Sequence, residues 1–287
     1  MSSPATYLDR IIDRHRSRAA DDRRNRDDLI ARCLTMSPTR GFRSRLMSDS
    51  IDGLSVITEI KRRSPSKGDL NIDLDPAEMA EKYREGGASC LSVLTDEEFF
   101  GGSIRDLQIA SAACGLPVLR KDFTVSALDV LDARLMGADC VLLIAAALSD
   151  PELSEFHDLA RSVGLDVLVE IHDEVELDRA IGVGADLIGV NQRDLITFQV
   201  DHDRALRMGS VMPDSVVRVA ESGVRDAADA RSLRDAGYEA VLVGESIVTA
   251  ADPRAAIADQ PPHRIVVHDG RVVAGVDGRG RAGTPSD

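Results

Sequence analysis

No stretch of the sequence is long and apolar enough to span a membrane, and the N-terminus, crowded with Arg and Asp, has no apolar signal core. The four cysteines, Cys33, Cys90, Cys114 and Cys140, show no C-x-x-C spacing, and two of them open apolar runs. They read as buried free thiols rather than as disulfide or metal ligands. Positive charge is also short: 35 Lys+Arg stand against 49 Asp+Glu, a net charge of −14. That balance argues against nonspecific nucleic-acid binding, and an acidic ligand would have to be drawn by a local cluster of cations against the global field. The expectation is a reduced, cytoplasmic protein with neither a nucleic-acid nor a membrane partner.

What is present is a series of short apolar runs rich in β-branched residues, separated by amphipathic helical stretches. They are VITEIK (56–61), CLSVL (90–94), PVLRKD (117–122), CVLLIA (140–145), DVLVEI (166–171), LIGVN (187–191), VVRVAES (216–222) and AVLVGES (240–246). Several are entered through the same kind of turn: GGAS before the second, GAD before the fourth and sixth, AGYE before the eighth. A left-handed Gly ends the helix there and the strand begins at once. Continuous rather than alternating hydrophobicity marks strands covered on both faces, as a parallel sheet requires. Eight such units over about 200 residues predict one (β/α)8 barrel. An open doubly wound sheet would need a glycine-rich nucleotide turn, and GVGAD (182–186) lacks the third Gly and precedes its strand.

The expected organisation is a helical extension over residues 1–50, a barrel over 51–258, and a C-terminal piece over 259–287. Tyr7, Leu8, Ile11 and Ile12 recur at helical spacing, predicting an amphipathic helix lying on the barrel. RIVVHDGRVVAG (264–275) carries two β-rich runs joined by Asp269-Gly270, a hairpin signal, and VDGRGRAGTPSD after it predicts a disordered tail. The hairpin reads as a peripheral addition packed on the barrel, with a docking edge for a partner strand as the alternative.

Barrel enzymes collect their chemistry at the C-terminal ends of the strands, so polar residues there are informative. Strand 1 ends in Glu59 and Lys61, strand 3 in Lys121 and Asp122, strand 5 in Glu170 and His172, strand 6 in Asn191 and Arg193, and strand 7 in Glu221 and Ser222; strand 8 ends in Gly244, Glu245 and Ser246. The strand period of two puts Glu59 with Lys61, Glu170 with His172, and Asn191 with Arg193 on common faces. Any one pair could be a structural ion pair; three from three strands point to an active site. Two lysines among carboxylates in a partly desolvated mouth can be tuned for acid–base work, and a lysine could instead form a Schiff base. His172 has no second His at ligand spacing, so no metal is expected. ESG after strand 7 and GES after strand 8 offer Ser222, Gly223, Gly244 and Ser246 to a phosphate, with Ser64, Ser66 and Lys67 from loop 1 on another side.

These motifs resemble those of the indole-3-glycerol phosphate synthase family. The carriers are EIKRRSPSKG, SVLTDEEFFGGS, LPVLRKDF, LLIAAALSD, LVEIHDEVEL, IGVNQRDLITF, AESGV and LVGESIV, in order over residues 56 to about 253. The resemblance implies a cofactor-free, decarboxylating and dehydrating closure of 1-(2-carboxyphenylamino)-1-deoxyribulose 5-phosphate to indole-3-glycerol phosphate. It assigns Lys121 as the general acid, Glu170 to proton transfer, and Lys61, held by Glu59, to the substrate carboxylate and to the dehydration. Asn191, Arg193 and Glu221 would orient the substrate, and Ser64, Ser222, Gly223, Gly244 and the backbone of Glu245 would hold its phosphate. The Lys67–Gly68 end of loop 1 is expected to move over the site.

The sequence departs from the family pattern at Gln192, where Asn is usual, and after RKDF, where an Asp, a Tyr-Gln pair and a Glu are replaced by Ser126, Leu128, Asp129 and Asp132. The second departure opens the helix below Lys121 and puts loop geometry in question. Three alternatives remain open: a divergent copy serving a specialised indole pathway, another phosphate-binding barrel enzyme such as a sugar-phosphate isomerase or Schiff-base aldolase, and a retired paralogue acting as an assembly subunit. So do a weak homodimer and a partnership with another biosynthetic enzyme.

Overall fold

The structure is a computed structural model that describes residues 6–65, 67–194, 198–225, 227–248 and 252–258, with two further strands at 265–268 and 271–274. Eight parallel strands close into a barrel: β1 (Ser55–Ile60), β2 (Cys90–Leu94), β3 (Val118–Lys121), β4 (Cys140–Ile144), β5 (Asp166–Ile171), β6 (Leu187–Asn191), β7 (Val217–Glu221) and β8 (Ala240–Val243). β1 closes the ring by pairing with both β2 and β8. All eight expected strands are present, several of them shorter by a residue or more at their ends. AVLVGES, for instance, stops at Val243 and turns into a short helix, Glu245–Val248. The glycine turns form as expected, with Gly87 at φ 94° and Gly184 at φ 77°, a region costly for any residue with a Cβ.

Alternation along each strand sorts side chains into two cores. Outward residues such as Val56, Ile60, Val167, Val169, Ile188 and Val190 pack under the helices. Inward residues, among them Ile57, Leu119, Leu142, Leu168, Leu187 and Val219, fill the lower half of the barrel. The uppermost inward position on β1, β3, β5, β6 and β7 is polar: Glu59, Lys121, Glu170, Asn191 and Glu221. The core therefore ends in one layer, and that layer is the floor of the mouth.

Three helices precede β1: α1 (Tyr7–Asp21), α2 (Arg26–Leu34) and α3 (Phe42–Asp49). Thr6 starts α1 with a capping box: its hydroxyl accepts from Asp9 N at 3.1 Å while Asp9 accepts from Thr6 N at 2.7 Å. The expected amphipathic helix is thus present, burying Ile11 and also His15 four residues on. Helix α3 seals the bottom. Phe42 and Leu46 are fully buried among the inward barrel residues, while Arg43 N donates to Asp166 Oδ2 at 2.9 Å and Ser55 Oγ to Leu46 O at 2.6 Å.

The expected C-terminal hairpin forms as β9 (Ile265–His268) antiparallel to β10 (Arg271–Ala274), in register from Ile265↔Ala274 to His268↔Arg271. Asp269-Gly270 and the expected tail lie outside the described residues. All four cysteines are free, three buried and Cys114 half-buried. No helix among the described residues is long and apolar enough to cross a membrane.

Phe42→Ala empties the bottom of the barrel without touching the mouth. It should cost about 3–5 kcal/mol of stability in chemical denaturation, with the turnover of the folded fraction unchanged.

Candidate active site

Glu59, Lys121, Glu170, Asn191 and Glu221 meet at the floor of an open cavity of about 390 Å³. Lys121 Nζ lies 3.2 Å from Glu170 Oε2 and 3.9 Å from Glu221 Oε2. Lys61 Nζ is in contact with the Glu59 carboxylate. Asn191 joins the network by donating from Nδ2 to Glu170 Oε1 at 3.1 Å, and its Oδ1 accepts from Ser222 Oγ and from Arg193 N, each at 3.0 Å. Of the residues expected in the site, Ser64, Arg193, Gly223 and Gly244 also line the cavity. Ser66 and the side chains of Glu245 and Ser246 lie outside what the structure describes. Loop 1 folds into a two-residue ribbon, Arg63–Ser64 against Gly68–Asp69, with Lys67 N donating to Ser64 Oγ at 3.2 Å.

Burial opposes a charge on Lys121, but Glu170, Glu221 and Glu59 outweigh it and hold the ammonium above the ordinary lysine range. Burial likewise opposes ionisation of Glu170, and there Lys121, His172 and the Asn191 amide prevail, lowering it. Glu221 goes the other way. It is buried beside Glu170 and Glu59, and Lys121 offsets only part of that, so its carboxyl is pushed well above the usual range. Among the described lining residues, four cations (Lys61, Lys121, Arg193, Arg225) face four acids (Glu59, Asp122, Glu170, Glu221). The mouth is therefore not a plain basic patch. Burial pushes Glu221 toward its neutral form, and Arg225 is itself paired with Asp229.

Asp122 was grouped with Lys121 as a strand-end residue, but alternation sends it outward. There Arg120 Nη2 donates to Asp122 Oδ2 at 2.9 Å, Thr95 Oγ1 contacts the same carboxylate, and His15 Nε2 stands 3.8 Å from Oδ1. His15 Nε2 also lies 3.0 Å from Asp96 Oδ2, and Asp96 Oδ1 caps the helix Glu97–Phe100. This His15–Asp96–Asp122 cluster brings donor atoms within 4.8 Å of one another. They are already spent on the cap and on Arg120, whose cation disfavours a metal. The cluster works as a clasp that seats α1 on the mouth, so that Tyr7, Leu8 and Ile11 become cavity wall together with Phe100 and Phe123. The sequence reading placed α1 on the barrel but missed its part in the cavity. The signal was His15 standing four residues from Ile11 on the apolar face.

The departures have local accounts. Ser126 caps its helix by accepting from Asp129 N at 3.2 Å, and Asp129 Oδ2 accepts from Val125 N at 3.1 Å. Asp132 takes a two-pronged ion pair from Arg24, 2.7 Å to each oxygen. Gln192 Nε2 donates to Ser222 O at 2.6 Å, supporting Ser222 at φ 62°, where a non-glycine residue is strained. No contact explains Leu128, which packs against the outer core.

Gly189 was read only as part of a strand. It faces inward one layer below Asn191, and a Cβ built on it would meet Glu221 Oε1 at 2.0 Å. Its missing side chain is the seat of Glu221. Gly189→Ala should therefore cost about 1–3 kcal/mol of stability. In a Glu221→Ala background most of that cost should vanish, which a double-mutant cycle of denaturation curves reads directly.

The profile of the family described as "Indole-3-glycerol phosphate synthase" matches residues 8–259. Indole-3-glycerol phosphate synthases of a Nocardioides species and of Mycolicibacterium smegmatis are similar to the chain. The first is 52% identical over 206 residues, 71% of this chain and 79% of the relative. The second is 45% identical over 259 residues, 90% of this chain and 94% of the relative. Two solved structures share the fold alone. Thiamine phosphate pyrophosphorylase from Pyrococcus furiosus has a TM-score of 0.54 at 18% identity, over 74% of this chain and 95% of its own. N-acetylmannosamine-6-phosphate 2-epimerase from Clostridium perfringens has 0.55 at 13%, over 73% and 93%. With a profile match over residues 8–259 and relatives near half-identical across the barrel, the chain belongs to the indole-3-glycerol phosphate synthase family of carboxy-lyases.

Proposed function

We propose that the polar floor of the barrel closes the indole ring of 1-(2-carboxyphenylamino)-1-deoxyribulose 5-phosphate, releasing CO2 and water. The observation that carries this reading is the buried Lys121 ammonium with Glu170 and Glu221 at 3.2 and 3.9 Å, open to a cavity walled on one side by Phe100, Phe123, Leu142 and Ile144. The aromatic ring lies against that apolar wall. The carboxylate meets Lys61 and Arg193, and the phosphate reaches Ser64, Ser222, Gly223, Gly244 and the backbone of Glu245.

Lys121 enters the reaction loaded, because its carboxylate neighbours keep it protonated. As the ring carbon attacks the substrate carbonyl, negative charge grows on the carbonyl oxygen. The Lys121 proton moves to that oxygen. The C–C bond forms, CO2 leaves from the same ring carbon, and its bonding electrons restore the ring. Dehydration then needs an acid for the departing hydroxyl and a base for the proton on the neighbouring carbon. Lys61 fits the first role, since Glu59 holds it at the rim, and Glu170 fits the second, since it is ionised in the free site. The substrate supplies its own electron sink, so no cofactor takes part. This reading places the enzyme in tryptophan biosynthesis in the cytoplasm.

Supplying that substrate and following indole fluorescence tests the proposal; folded protein that yields no product rejects it. Lys121→Ala should lose on the order of a hundredfold or more in turnover, as for a removed general acid. Near-normal turnover in that variant would move the acid elsewhere.

A further inference from the structure

The ring of His172 stands behind Glu170, two residues beyond it and outside the cavity wall. Glu176, on the helix Glu174–Gly182, holds it in place: one carboxylate oxygen accepts from His172 N at 2.8 Å and faces Nδ1 at 3.0 Å. That contact places the proton of the neutral ring on Nδ1. Nε2 is left facing Glu170 Oε1 at 3.7 Å, buried and without a hydrogen-bond partner. A buried ring nitrogen without a partner is uncommon and calls for a reason.

Glu170 supplies one. It is 1% exposed although it lines the cavity, so its charge depends on protein partners rather than on water. On its cavity side it is surrounded by Lys121, Asn191 and Glu221. Behind it stand His172 and Glu176, whose side chains are 13% and 14% exposed. The arrangement is that of a carboxylate orienting an imidazole toward a second group.

We propose that His172, braced by Glu176, is the positioning residue that holds the Glu170 carboxylate in place and in its ionised form for proton transfer. This rests on Glu170 acting in proton transfer, as set out above. The proton that Glu170 takes from substrate returns to the Lys121 amine 3.2 Å away, restoring the ammonium that ring closure used, while a protonated Nε2 faces Glu170 Oε1 from behind and favours its ionised form. The charged groups facing His172 agree with this. Burial opposes a charge on the ring and Arg204 adds to that opposition, but Glu176 and Glu170 outweigh both, so the ring protonates more readily than an ordinary histidine.

Two measurements on the full chain test this. In His172→Gln, which keeps an amide near the Nε2 position but cannot titrate, the acidic limb of the kcat/KM profile should move up by about half a pH unit or more, because Glu170 loses a nearby cation. Turnover should fall about tenfold while KM stays within about twofold, since His172 does not line the cavity. Glu176→Gln should move the limb the same way by less, and it serves if His172→Gln fails to fold. Independently of turnover, the His172 ring followed by NMR should titrate at lower pH in Glu170→Gln than in the wild type. An unmoved acidic limb in an active variant, or a His172 titration indifferent to Glu170→Gln, overturns the proposal. Coupled titrations in a protein that makes no indole product would support the His172–Glu170 coupling while rejecting the assigned reaction.

Discussion

One buried ammonium carries the mouth of this barrel. Lys121 sits among Glu170, Glu221 and Glu59, three carboxylates brought from three other strands, in a position where none of the four could stay charged alone. Taking such groups out of water costs several kcal/mol each unless partners compensate. Here the compensation is shared unequally. Glu170 keeps its charge through Lys121, His172 and Asn191, and Glu221 gives its charge up. Two carboxyls a few ångströms apart are thereby set to different protonation states, the condition for dividing acid and base roles at one pH.

That floor holds its shape because it rests on a closed, dry lower barrel. Leu119, Leu142 and Leu168 fill the interior just beneath the polar layer, and Phe42 and Leu46 of α3 close the bottom. The same N-terminal segment roofs the top, since α1 is clasped to the mouth through His15 and Asp96 and tied to the outer barrel by the Arg16–Glu152 pair at 2.6 Å. Arg24 of the connection that follows reaches Asp132, one of the residues that departs from the family pattern. The departures thus add anchoring for the extension and leave the Lys121 site intact.

Much of this was legible in the sequence, for a physical reason. Buried parallel strands read as continuous apolar runs, so Glu59, Lys121, Glu170, Asn191 and Glu221 stand out wherever a run breaks. Alternation then predicts which of them face inward. It works for Glu59 with Lys61 and sends Asp122 outward to Arg120, but it fails for Glu170 with His172, whose ring stands outside the cavity wall. What stayed hidden depends on contacts between distant segments. Nothing near Tyr7 or Leu8 in the chain indicates that they wall the cavity, and the one sign, His15 on the apolar face with Ile11, does not reveal its partners Asp96 and Asp122. Gly189 looks like a weak point in a strand until the Glu221 carboxyl is seen lying over it. Net charge is no better guide, since the described lining of the mouth holds as many acids as cations.

The central claim is that Lys121 stays an ammonium in the free enzyme. The nitrogen-15 shift of its Nζ, assigned by comparison with Lys121→Arg and followed through a pH titration, reads that state directly. The ammonium signal should persist above the ordinary lysine midpoint of about 10.4. Deprotonation near neutral pH would contradict the account, and would point instead to a lysine prepared for nucleophilic attack.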